Sequence, residues 1–363
     1  MNNPRQIAFL LSVISERGGI GRVTSIISNE LNKENNIKVH IISYAKKKST
    51  SYAWNEQLPY HYLLEEQIPM KMGLPKATIR LRKVLTENNI DVLIVCGAIA
   101  GPLGVLGTKF SKTKLVYWSH SSFKGSSNKR FRIFNEYFTT SFVDCVISLT
   151  KTDQINYRKS TLAKKVEQIY NPIDTKLENL NYVYNDTSNK IISVGRLTYQ
   201  KNFEALIDVA ALVANKKKDF IWDIYGSGEE EDMLNKKIKE NGLENKVFLR
   251  GQTNKLYELY KEYALMVMTS RYEGFPMSLI EGLASKLPLI SFDIPTGPNE
   301  IICEGENGYL IKPYNKLEMA DKIVELMNSK ETRLQFSEKN TTLKNSFDLK
   351  SIVNKWIILL AKT

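Results

Sequence analysis

The sequence predicts an α/β protein with two domains, each containing a doubly wound and mostly parallel sheet. Three observations support this prediction. The 363 residues are enough for two domains of ordinary size. Short apolar runs alternate with longer amphipathic stretches in both halves, as strands and helices alternate in parallel sheets. Asn171-Pro172-Ile173-Asp174 restricts the backbone near the middle, which suits a connection between domains and places the boundary after residue 172.

Composition indicates a globular protein of a reducing compartment. Hydrophobic residues make up 42% of the chain and low-complexity tracts are absent from its sequence. Cys96, Cys145 and Cys303 are widely spaced, which is typical of core residues and does not match metal-binding spacing. The apolar start is too short for a signal peptide, and no apolar run reaches the roughly 18–20 residues needed to span a bilayer. We therefore expect a cytoplasmic protein that at most rests on the inner face of the membrane.

The positive charge is confined to the first half. Residues 1–172 hold 25 Lys and Arg against 12 Asp and Glu, whereas residues 173–363 hold 26 against 27. Scattered, solvated lysines would explain part of this excess. A confined excess also suits an anionic partner, such as a bilayer headgroup layer, a lipid pyrophosphate or nucleic acid.

The first half contains six strand-like runs. They are Gln6–Ser12, Val39–Tyr44, Ile90–Cys96, Lys114–Trp118, Val143–Leu149 and Val166–Tyr170. Between the second and third of these runs, Pro75–Asn88 reads as an amphipathic helix.

Two positions near strand ends in this half are candidate binding residues. Gly18-Gly19-Ile20-Gly21 follows the first strand and opens a helix, where glycine lets a ligand approach the backbone and the helix start offers amides to a phosphate. A tight strand–helix turn would also require glycine. His120 follows the fourth strand and is placed to touch a ligand, although a bond to a neighbouring carbonyl would explain it equally.

A basic and aromatic segment follows the third strand. Residues 109–132 contain seven Lys and Arg side chains interleaved with Phe110, Phe123 and Phe131, and Phe134 follows directly. This mixture suits a membrane interface, and it also suits the faces of ordinary amphipathic helices.

The second half begins with a strand at Lys190–Val194 and a helix over residues 203–215. Arg196 and Lys201 lie in the loop between them and flank the helix start. The parallel N–H donors of an arginine guanidinium and the compact charge of a lysine ammonium together suit a diphosphate. Taken alone, two exposed cations are more often solvated.

Two further strands are predicted in this half. Phe220–Tyr225 leads into Gly226-Ser227-Gly228, and Val247–Gly251 carries Arg250 near its end.

The stretch from Arg271 to Pro288 organises this half. It reads as strand (residues 264–268), loop, helix (277–285) and strand (289–292), with Glu273 in the loop and Glu281 in the helix. A carboxylate can accept two hydrogen bonds side by side, which suits the vicinal hydroxyls of a sugar. The alternative without a binding role is that Glu273 is a solvated loop residue and that Glu281 is favoured near the helix start by the helix dipole.

Two motifs in this half resemble glycosyltransferase family four, a large retaining family with the GT-B fold. They are Glu273-Gly-Phe-Pro-x4-Glu281-Gly-Leu-Ala-x3-Pro288 and Gly195-Arg-Leu-x3-Lys201-Asn202. The resemblance implies two Rossmann-like domains facing each other across a cleft, an acceptor-side domain at 1–172 and a nucleotide-sugar domain at 173–344. The final helix, within about 345–363, would complete the first domain. Thr296-Gly297 stands where many members carry Gly-Gly.

The resemblance also implies roles for individual residues. Arg196 and Lys201 would hold the diphosphate, Glu281 the ribose, Glu273 the sugar hydroxyls, and His120 would orient the sugar. The remaining donor-binding positions are Gly19, Gly226, Gly228, Arg250, Gly274, Phe275, Pro276, Met277, Ser278 and Leu279.

The expected activity is metal-independent, cofactor-free and retaining transfer of a hexose or N-acetylhexosamine. The donor would be a nucleotide-diphosphate sugar, with uridine favoured over guanosine. The acceptor would be lipid-linked or an oligosaccharide, and the basic first half would meet an anionic membrane. The alternatives are a sugar-nucleotide epimerase and a non-catalytic sugar-nucleotide binder. A nucleic-acid-binding protein is disfavoured because the sequence carries no recognition motif.

Overall fold

The structure is a computed structural model that describes residues 3–14, 18–46, 54–123, 125 and 129–363, with the backbone alone over 129–132. Glu16 and Arg17, Lys124 and the side chain of Phe131 therefore lie outside the described residues. Contacts divide the chain into two compact units. Unit 1 comprises Met1–Pro172 with Lys350–Thr363, and unit 2 comprises Ile173–Leu349.

Unit 1 contains a seven-stranded parallel sheet in the order β3-β2-β1-β4-β5-β6-β7. Its strands are β1 (Arg5–Leu11), β2 (Ile37–Ala45), β3 (Tyr60–Leu64), β4 (Val92–Cys96), β5 (Lys114–Trp118), β6 (Cys145–Ser148) and β7 (Val166–Gln168). Its helices are α1 (Gly19–Leu31), α2 (Met70–Glu87), α3 (Gly101–Thr108), α4 (Lys129–Phe142) and α5 (Lys151–Ser160), and α13 (Leu349–Lys362) is added from the end of the chain.

Alternate side chains of each strand in unit 1 enter cores on opposite faces of the sheet. On one face, Leu115 and Tyr117 of β5 join the cluster formed with residues of α2, α3 and α5. On the other face, Trp118 packs edge-on against Trp356 of α13, with ring centroids 4.7 Å apart. Phe9 of β1 packs against the same tryptophan at 6.2 Å. The two-residue period of a strand thus gives unit 1 two cores.

The helix predicted at residues 75–88 begins five residues earlier than expected. α2 begins at Met70 and contains Pro75 in its interior. Proline in a helix interior removes a hydrogen bond and clashes with the preceding turn, so a helix through Pro75 is not expected from local sequence. Here Gly73, Ala77, Leu81 and Leu85 form the buried face. Packing of that face therefore extends the helix through the proline.

Unit 2 contains a six-stranded parallel sheet in the order β10-β9-β8-β11-β12-β13. Its strands are β8 (Lys190–Val194), β9 (Ile221–Tyr225), β10 (Val247–Gly251), β11 (Leu265–Met268), β12 (Leu289–Phe292) and β13 (Gly308–Ile311). Its α-helices are α6 (Thr175–Glu178), α7 (Phe203–Lys216), α8 (Glu231–Glu240), α9 (Leu256–Leu259), α10 (Met277–Ala284), α11 (Lys316–Asn328) and α12 (Lys330–Leu343). Short 3₁₀ turns lie at Tyr260–Glu262, Pro298–Glu300 and Lys344–Phe347.

The strand order of unit 2 defines where a ligand would bind. The chain builds outward from β8 to β9 and β10, then returns to β11 on the other side of β8 and continues to β12 and β13. In open α/β sheets the crevice at such a reversal, outside the carboxyl ends of the strands, is the usual binding site. A ligand of unit 2 is therefore expected at the loops that follow β8 and β11.

The predicted α/β class with two parallel sheets is confirmed. The sequence analysis did not identify β3, α3 and α12. No described helix has both the length and the apolar character that crossing a bilayer requires.

Candidate active site

The loops after β8 and β11 are joined by reciprocal hydrogen bonds at the strand-order reversal. The Asn202 side-chain amide donates to the carbonyl of Thr269 at 3.0 Å, and the Thr269 hydroxyl donates to the carbonyl of Asn202 at 3.1 Å. Asn202 has a φ of 56°, a left-handed conformation that asparagine tolerates better than most residues. Both side chains are buried. The two loops are thus held at a fixed separation.

A buried ion pair lies between these loops. The Lys201 ammonium is 2.6 Å from the Glu273 carboxylate, and the two side chains are only 16% and 7% exposed. Ser270 donates to the same carboxylate oxygen at 2.7 Å, and Gln200 donates to the other oxygen at 3.3 Å. A carboxylate has about four acceptor positions, so most of the capacity of Glu273 is used within the loop pair. Lys201 makes one of its three possible donations to Glu273.

The backbone of Glu273 is also held in place. The Thr296 hydroxyl, which is buried, donates to the Glu273 carbonyl at 2.6 Å. Gly297 follows with a φ of 103°, and a Cβ there would lie 2.6 Å from the ring of Pro276. The Thr296-Gly297 pair therefore packs directly behind the Glu273 loop.

The Gly226-Ser227-Gly228 loop packs on the backbone of the β8 loop. A Cβ on Gly226 would lie 1.8 Å from the Gly195 carbonyl oxygen, and one on Gly228 would lie 2.2 Å from the Leu197 carbonyl oxygen. The Leu197 amide donates to the Ser227 carbonyl at 3.0 Å. Both glycines are thus required by the contact between two loops, and that contact fixes the backbone around Arg196.

Arg196 lies exposed in this fixed loop. Among the described residues, no side-chain hydrogen bond or ion pair of Arg196 is found. Beneath the loop, the aliphatic stem of Lys201 crosses Gly195, where a Cβ would lie 3.0–3.1 Å from three of its carbons. The structure thus places one exposed and one nearly buried cation in the loop after β8.

Helix α10 begins at Met277, directly after Gly274-Phe275-Pro276. Phe275 is buried and its ring packs against that of Phe347 at 5.7 Å. Ser278 and Leu279 are also buried, and Met277 is half-buried. The first amides of α10 therefore lie beside the carboxyl end of β11, as the sequence predicts.

Glu281 lies in α10 on a different contact surface from Glu273. It is 4% exposed, and its carboxylate accepts a hydrogen bond from the Tyr260 hydroxyl. Tyr182 is a second neighbour, and burial raises the pKa of its hydroxyl to about 12. Two phenolic groups therefore lie beside the Glu281 carboxylate.

Arg250 is engaged within the sheet edge. Its guanidinium lies 2.7 Å from the Asp223 carboxylate and 4.5 Å from the centroid of the Phe248 ring. Asp223 also accepts from Tyr263 at 2.8 Å. These contacts use the Arg250 side chain to tie β10 to β9. Recognition of a base at this edge by backbone atoms stays a prediction.

Two candidates lie in unit 1. The His120 Nε2 atom is buried without a hydrogen-bond partner among the described residues, and its ring packs 4.2 Å from that of Trp118. Burial lowers the pKa of His120 to about 3, so the imidazole is neutral near pH 7. Gly19 is the first residue of α1, and a Cβ there would meet no described atom within 4 Å. Packing among the described residues therefore does not require glycine at this position.

In unit 2 the structure joins Lys201 directly to Glu273, and it places Arg196 in the same loop as Lys201. It joins the Arg250 side chain to Asp223, and Glu281 to Tyr260. The sequence analysis missed the supporting hydroxyls of Thr269 and Ser270 and gave Thr296 no role, because small polar residues in loops carry no distinctive pattern. Within the described ranges, no group of three or more His, Cys, Asp or Glu side chains is arranged to hold a metal ion.

Comparison with known proteins identifies the family. The profile described as glycosyltransferase family 4 matches residues 17–177, and that described as glycosyl transferases group 1 matches residues 179–342. The poly(ribitol-phosphate) alpha-N-acetylglucosaminyltransferase of Staphylococcus aureus is 33% identical over 303 residues, covering 82% of this chain and 61% of that longer protein. The amylovoran biosynthesis glycosyltransferase AmsD of Erwinia amylovora is 29% identical over 365 residues, covering 97% and 98% of the two chains.

A solved structure gives the fold. Anabaena HepE, crystallised with UDP and glucose, superposes with a TM-score of 0.85 over 98% of this chain and 99% of that one, at 18% identity. The two profiles together cover most of the chain, and each matches the larger part of one parallel-sheet unit. The chain therefore belongs to glycosyltransferase family four, and it is a glycosyltransferase of the GT-B fold.

Proposed function

We propose that the protein transfers a hexose or N-acetylhexosamine, with retention of configuration, from a UDP-sugar to a lipid-linked or polysaccharide acceptor of the cell envelope. The observation that carries this proposal is the buried Lys201–Glu273 pair at the strand-order reversal of unit 2. Relatives named for poly(ribitol-phosphate) and amylovoran synthesis support the acceptor class. The UDP bound to HepE supports the base.

Lys201 and Arg196 would hold the donor diphosphate. Lys201 keeps two donor positions beyond its bond to Glu273, and its stem is supported by Gly195. Arg196 adds a guanidinium with parallel N–H donors, and its loop has a backbone fixed by contact with the Gly226-Ser227-Gly228 loop. A charge that is already in position does not need to be reorganised as phosphate charge develops, which is the main source of electrostatic catalysis.

Glu273 would serve first to hold Lys201 and second to accept a sugar hydroxyl at its remaining position. Glu281, which already accepts from Tyr260, would bind the ribose hydroxyls. The unpartnered Nε2 of His120 would be satisfied by a sugar hydroxyl, because a buried polar atom without a partner is costly. Gly19 and the first amides of α10 would complete donor binding.

In the proposed reaction, the bond between the anomeric carbon and the β-phosphate oxygen breaks while a bond from the acceptor oxygen forms. The proton of the acceptor hydroxyl passes to the leaving diphosphate. Glu273 is committed to Lys201, Ser270 and Gln200, so we assign it no nucleophilic role. Metal independence remains part of this proposal.

The proposed partner of unit 1 is an anionic membrane surface, because residues 1–172 carry 25 basic against 12 acidic residues. Such a location would suit a lipid-linked acceptor. In this proposal the protein acts at the inner face of the membrane.

Donor binding is tested by thermal shift with a panel of UDP-glucose, UDP-galactose, UDP-N-acetylglucosamine and GDP-mannose. One donor should stabilise the wild type by mass action. Arg196→Met should leave the unliganded protein within about 0.5 kcal/mol of wild type, since the side chain is exposed. It should weaken that donor about 10- to 100-fold, because a charge-assisted bond is lost. Lys218→Met, also at an exposed cation of unit 2, is the matched control.

Turnover of the selected donor distinguishes transfer from its rivals. Transfer to a lipid-linked glycan or polysaccharide with retained anomeric configuration, read by NMR, supports the proposal. Release of a new sugar nucleotide without acceptor would indicate an epimerase. Binding without any turnover would indicate a sugar-nucleotide binder, and inversion would overturn the retaining assignment.

A further inference from the structure

Helix α4 of unit 1 presents an apolar face outward. Its large exposed side chains are Ile133 (43% exposed), Phe134 (66%), Tyr137 (41%) and Phe142 (62%). Among its described side chains, the buried ones are the polar Asn135, Glu136, Thr139 and Thr140, all at most 6% exposed, and Phe138 is partly buried against the core. A surface helix of a globular protein normally has the opposite arrangement. Exposed apolar patches of this kind mark interaction sites.

The polar face of α4 is anchored to the core. Glu136 accepts hydrogen bonds from the hydroxyl of Tyr117 at 2.8 Å and from that of Tyr157. Tyr157 also donates to the hydroxyl of Ser119 at 2.7 Å. Rotating α4 to bury its aromatic side chains would remove a carboxylate from these buried partners, which is costly. The outward direction of the aromatic face is therefore set by the fold.

Helix α5 extends the same surface. Its Tyr157 bonds to Glu136 of α4, so the two helices are neighbours. Its exposed side chains are Lys151, Ile155, Arg158 and Lys159, and Leu162 follows at 78% exposed. We call the outward residues of both helices, together with Leu162, the α4–α5 face.

The charge on this face has one sign. α4 contains Lys129, Arg130 and Arg132 in sequence, and α5 contains Lys151, Arg158 and Lys159. The carboxylates of these two helices are Glu136 and Asp153, which are 2% and 3% exposed. Among the described side chains, the cations of α5 and the apolar groups of both helices are therefore exposed, and both acids are buried.

We propose that the α4–α5 face docks on an anionic lipid bilayer, with α4 lying in the interfacial plane. Helices with an apolar face and several flanking cations bind at this depth, through buried apolar area and attraction to anionic headgroups. A helix of 14 residues is about 21 Å long, so its aromatic side chains can enter the headgroup layer together. The inference rests on the membrane partner proposed above and names the surface that meets it.

Two other occupants fit the face less well. Two copies meeting through this face in a symmetric dimer would place like charges against each other, which disfavours association. Single-stranded nucleic acid would suit the cations and the aromatic rings, but it would leave Ile133, Ile155 and Leu162 without a stacking partner. A bilayer satisfies both the cations and the aliphatic side chains.

The test is co-sedimentation of the full chain with vesicles of phosphatidylcholine alone or mixed with phosphatidylglycerol. Phe134→Ser/Phe142→Ser should weaken binding to the mixed vesicles at least about tenfold, since each buried phenylalanine contributes substantially. Its control is Leu317→Ser, at a side chain in unit 2 that is 62% exposed. Lys159→Glu should also weaken binding about tenfold or more. Lys239→Glu is its control, because both lysines are exposed and lie in the last turn of a ten-residue helix.

The proposal is supported if binding to mixed vesicles falls with added salt and if these variants, but not their controls, reduce it. Equal binding by variants and wild type overturns it. A dimer detected by analytical ultracentrifugation and lost in the same variants would assign the face to a second copy, and salt-sensitive RNA binding lost in them would assign it to nucleic acid. Donor-induced thermal shift is measured in every variant. It should be unchanged, so failure of docking is separable from failure of the donor site.

Discussion

The pair formed by Lys201 and Glu273 allows a quantitative test of the donor site. We propose Lys201→Met, which removes the charge but keeps an aliphatic stem over Gly195. Breaking a fully buried ion pair costs about 3–5 kcal/mol, because it leaves a charge buried and uncompensated. Glu273 would keep its bonds from Ser270 and Gln200, and Lys201 is 16% exposed. We therefore expect a loss of about 2–3 kcal/mol in the free energy of unfolding of unit 2.

Thermal unfolding of the unliganded protein measures this loss. For a domain of this size, about 1 kcal/mol corresponds to about 2–4 °C, so Tm should fall by about 5–10 °C. Glu273→Gln removes the partner charge, and the double variant should be about 1–2 kcal/mol more stable than the sum of the two single losses. Lys236→Met is the control, since its ion pair with Glu240 is 77% and 59% exposed and should contribute little.

The same variant tests the role of Lys201 toward the donor. A donor at 100 times its Kd stabilises the wild type by about 2.7 kcal/mol. Loss of a charge-assisted bond to phosphate weakens binding about 10- to 100-fold, so the stabilisation of Lys201→Met at the same concentration should fall to about 0.4–1.4 kcal/mol. Unchanged donor stabilisation together with no coupling to Glu273 would refute the assignment of this pair to the site.

Three further outcomes follow from the structure. Gly226→Ala should destabilise unit 2 by about 3 kcal/mol or more and abolish donor stabilisation, because its Cβ would collide with a backbone oxygen of the β8 loop. Gly242→Ala, which has a φ of 64° and open space, should cost only about 1 kcal/mol, and equal effects would contradict the loop contact. Gly19→Ala should leave Tm unchanged while weakening the donor, whereas a large fall in Tm would assign Gly19 to the fold. Burial lowers the pKa of His120 to about 3, so between that pH and about 6.5 the unfolded chain binds a proton that the folded chain does not. The free energy of unfolding should therefore fall as the pH falls through this range, by about 1–2 kcal/mol at pH 5. His120→Gln should reduce this dependence on pH, measured by denaturant unfolding.

Local sequence patterns were sufficient to predict the bounds of an element where its apolar run is short and its ends are marked by the sequence. β8, β10 and β12 have the predicted bounds, because a glycine or a proline stands at an end of each strand. α2 begins five residues before the predicted Pro75, since a buried face formed with distant residues extends the helix through the proline. The pattern could not show that α4 faces outward, because its periodicity is the same for either orientation. Only the bonds from Tyr117 and Tyr157 to Glu136 decide which side is inside.

The donor site likewise contains residues that the sequence predicts and contacts that only the structure shows. Arg196, Lys201, Glu273 and Glu281 were predicted from motif spacing, and the structure adds that Lys201 and Glu273 bond to each other. The contact of Glu281 with Tyr260 depends on how α10 packs against the turn after α9, which no local pattern encodes.

Because Trp356 in α13 fills the core between Phe9 and Trp118, the order of synthesis matters for this chain. The ribosome delivers the whole of unit 2 before it delivers the helix that covers Phe9 and Trp118 on the unit 1 sheet. This part of the unit 1 core therefore stays incomplete until a domain that follows it in sequence has been synthesised. Nascent chains stalled before residue 349 should expose Phe9 and Trp118 to chaperones, and a Trp356→Ala chain should remain chaperone-bound after release.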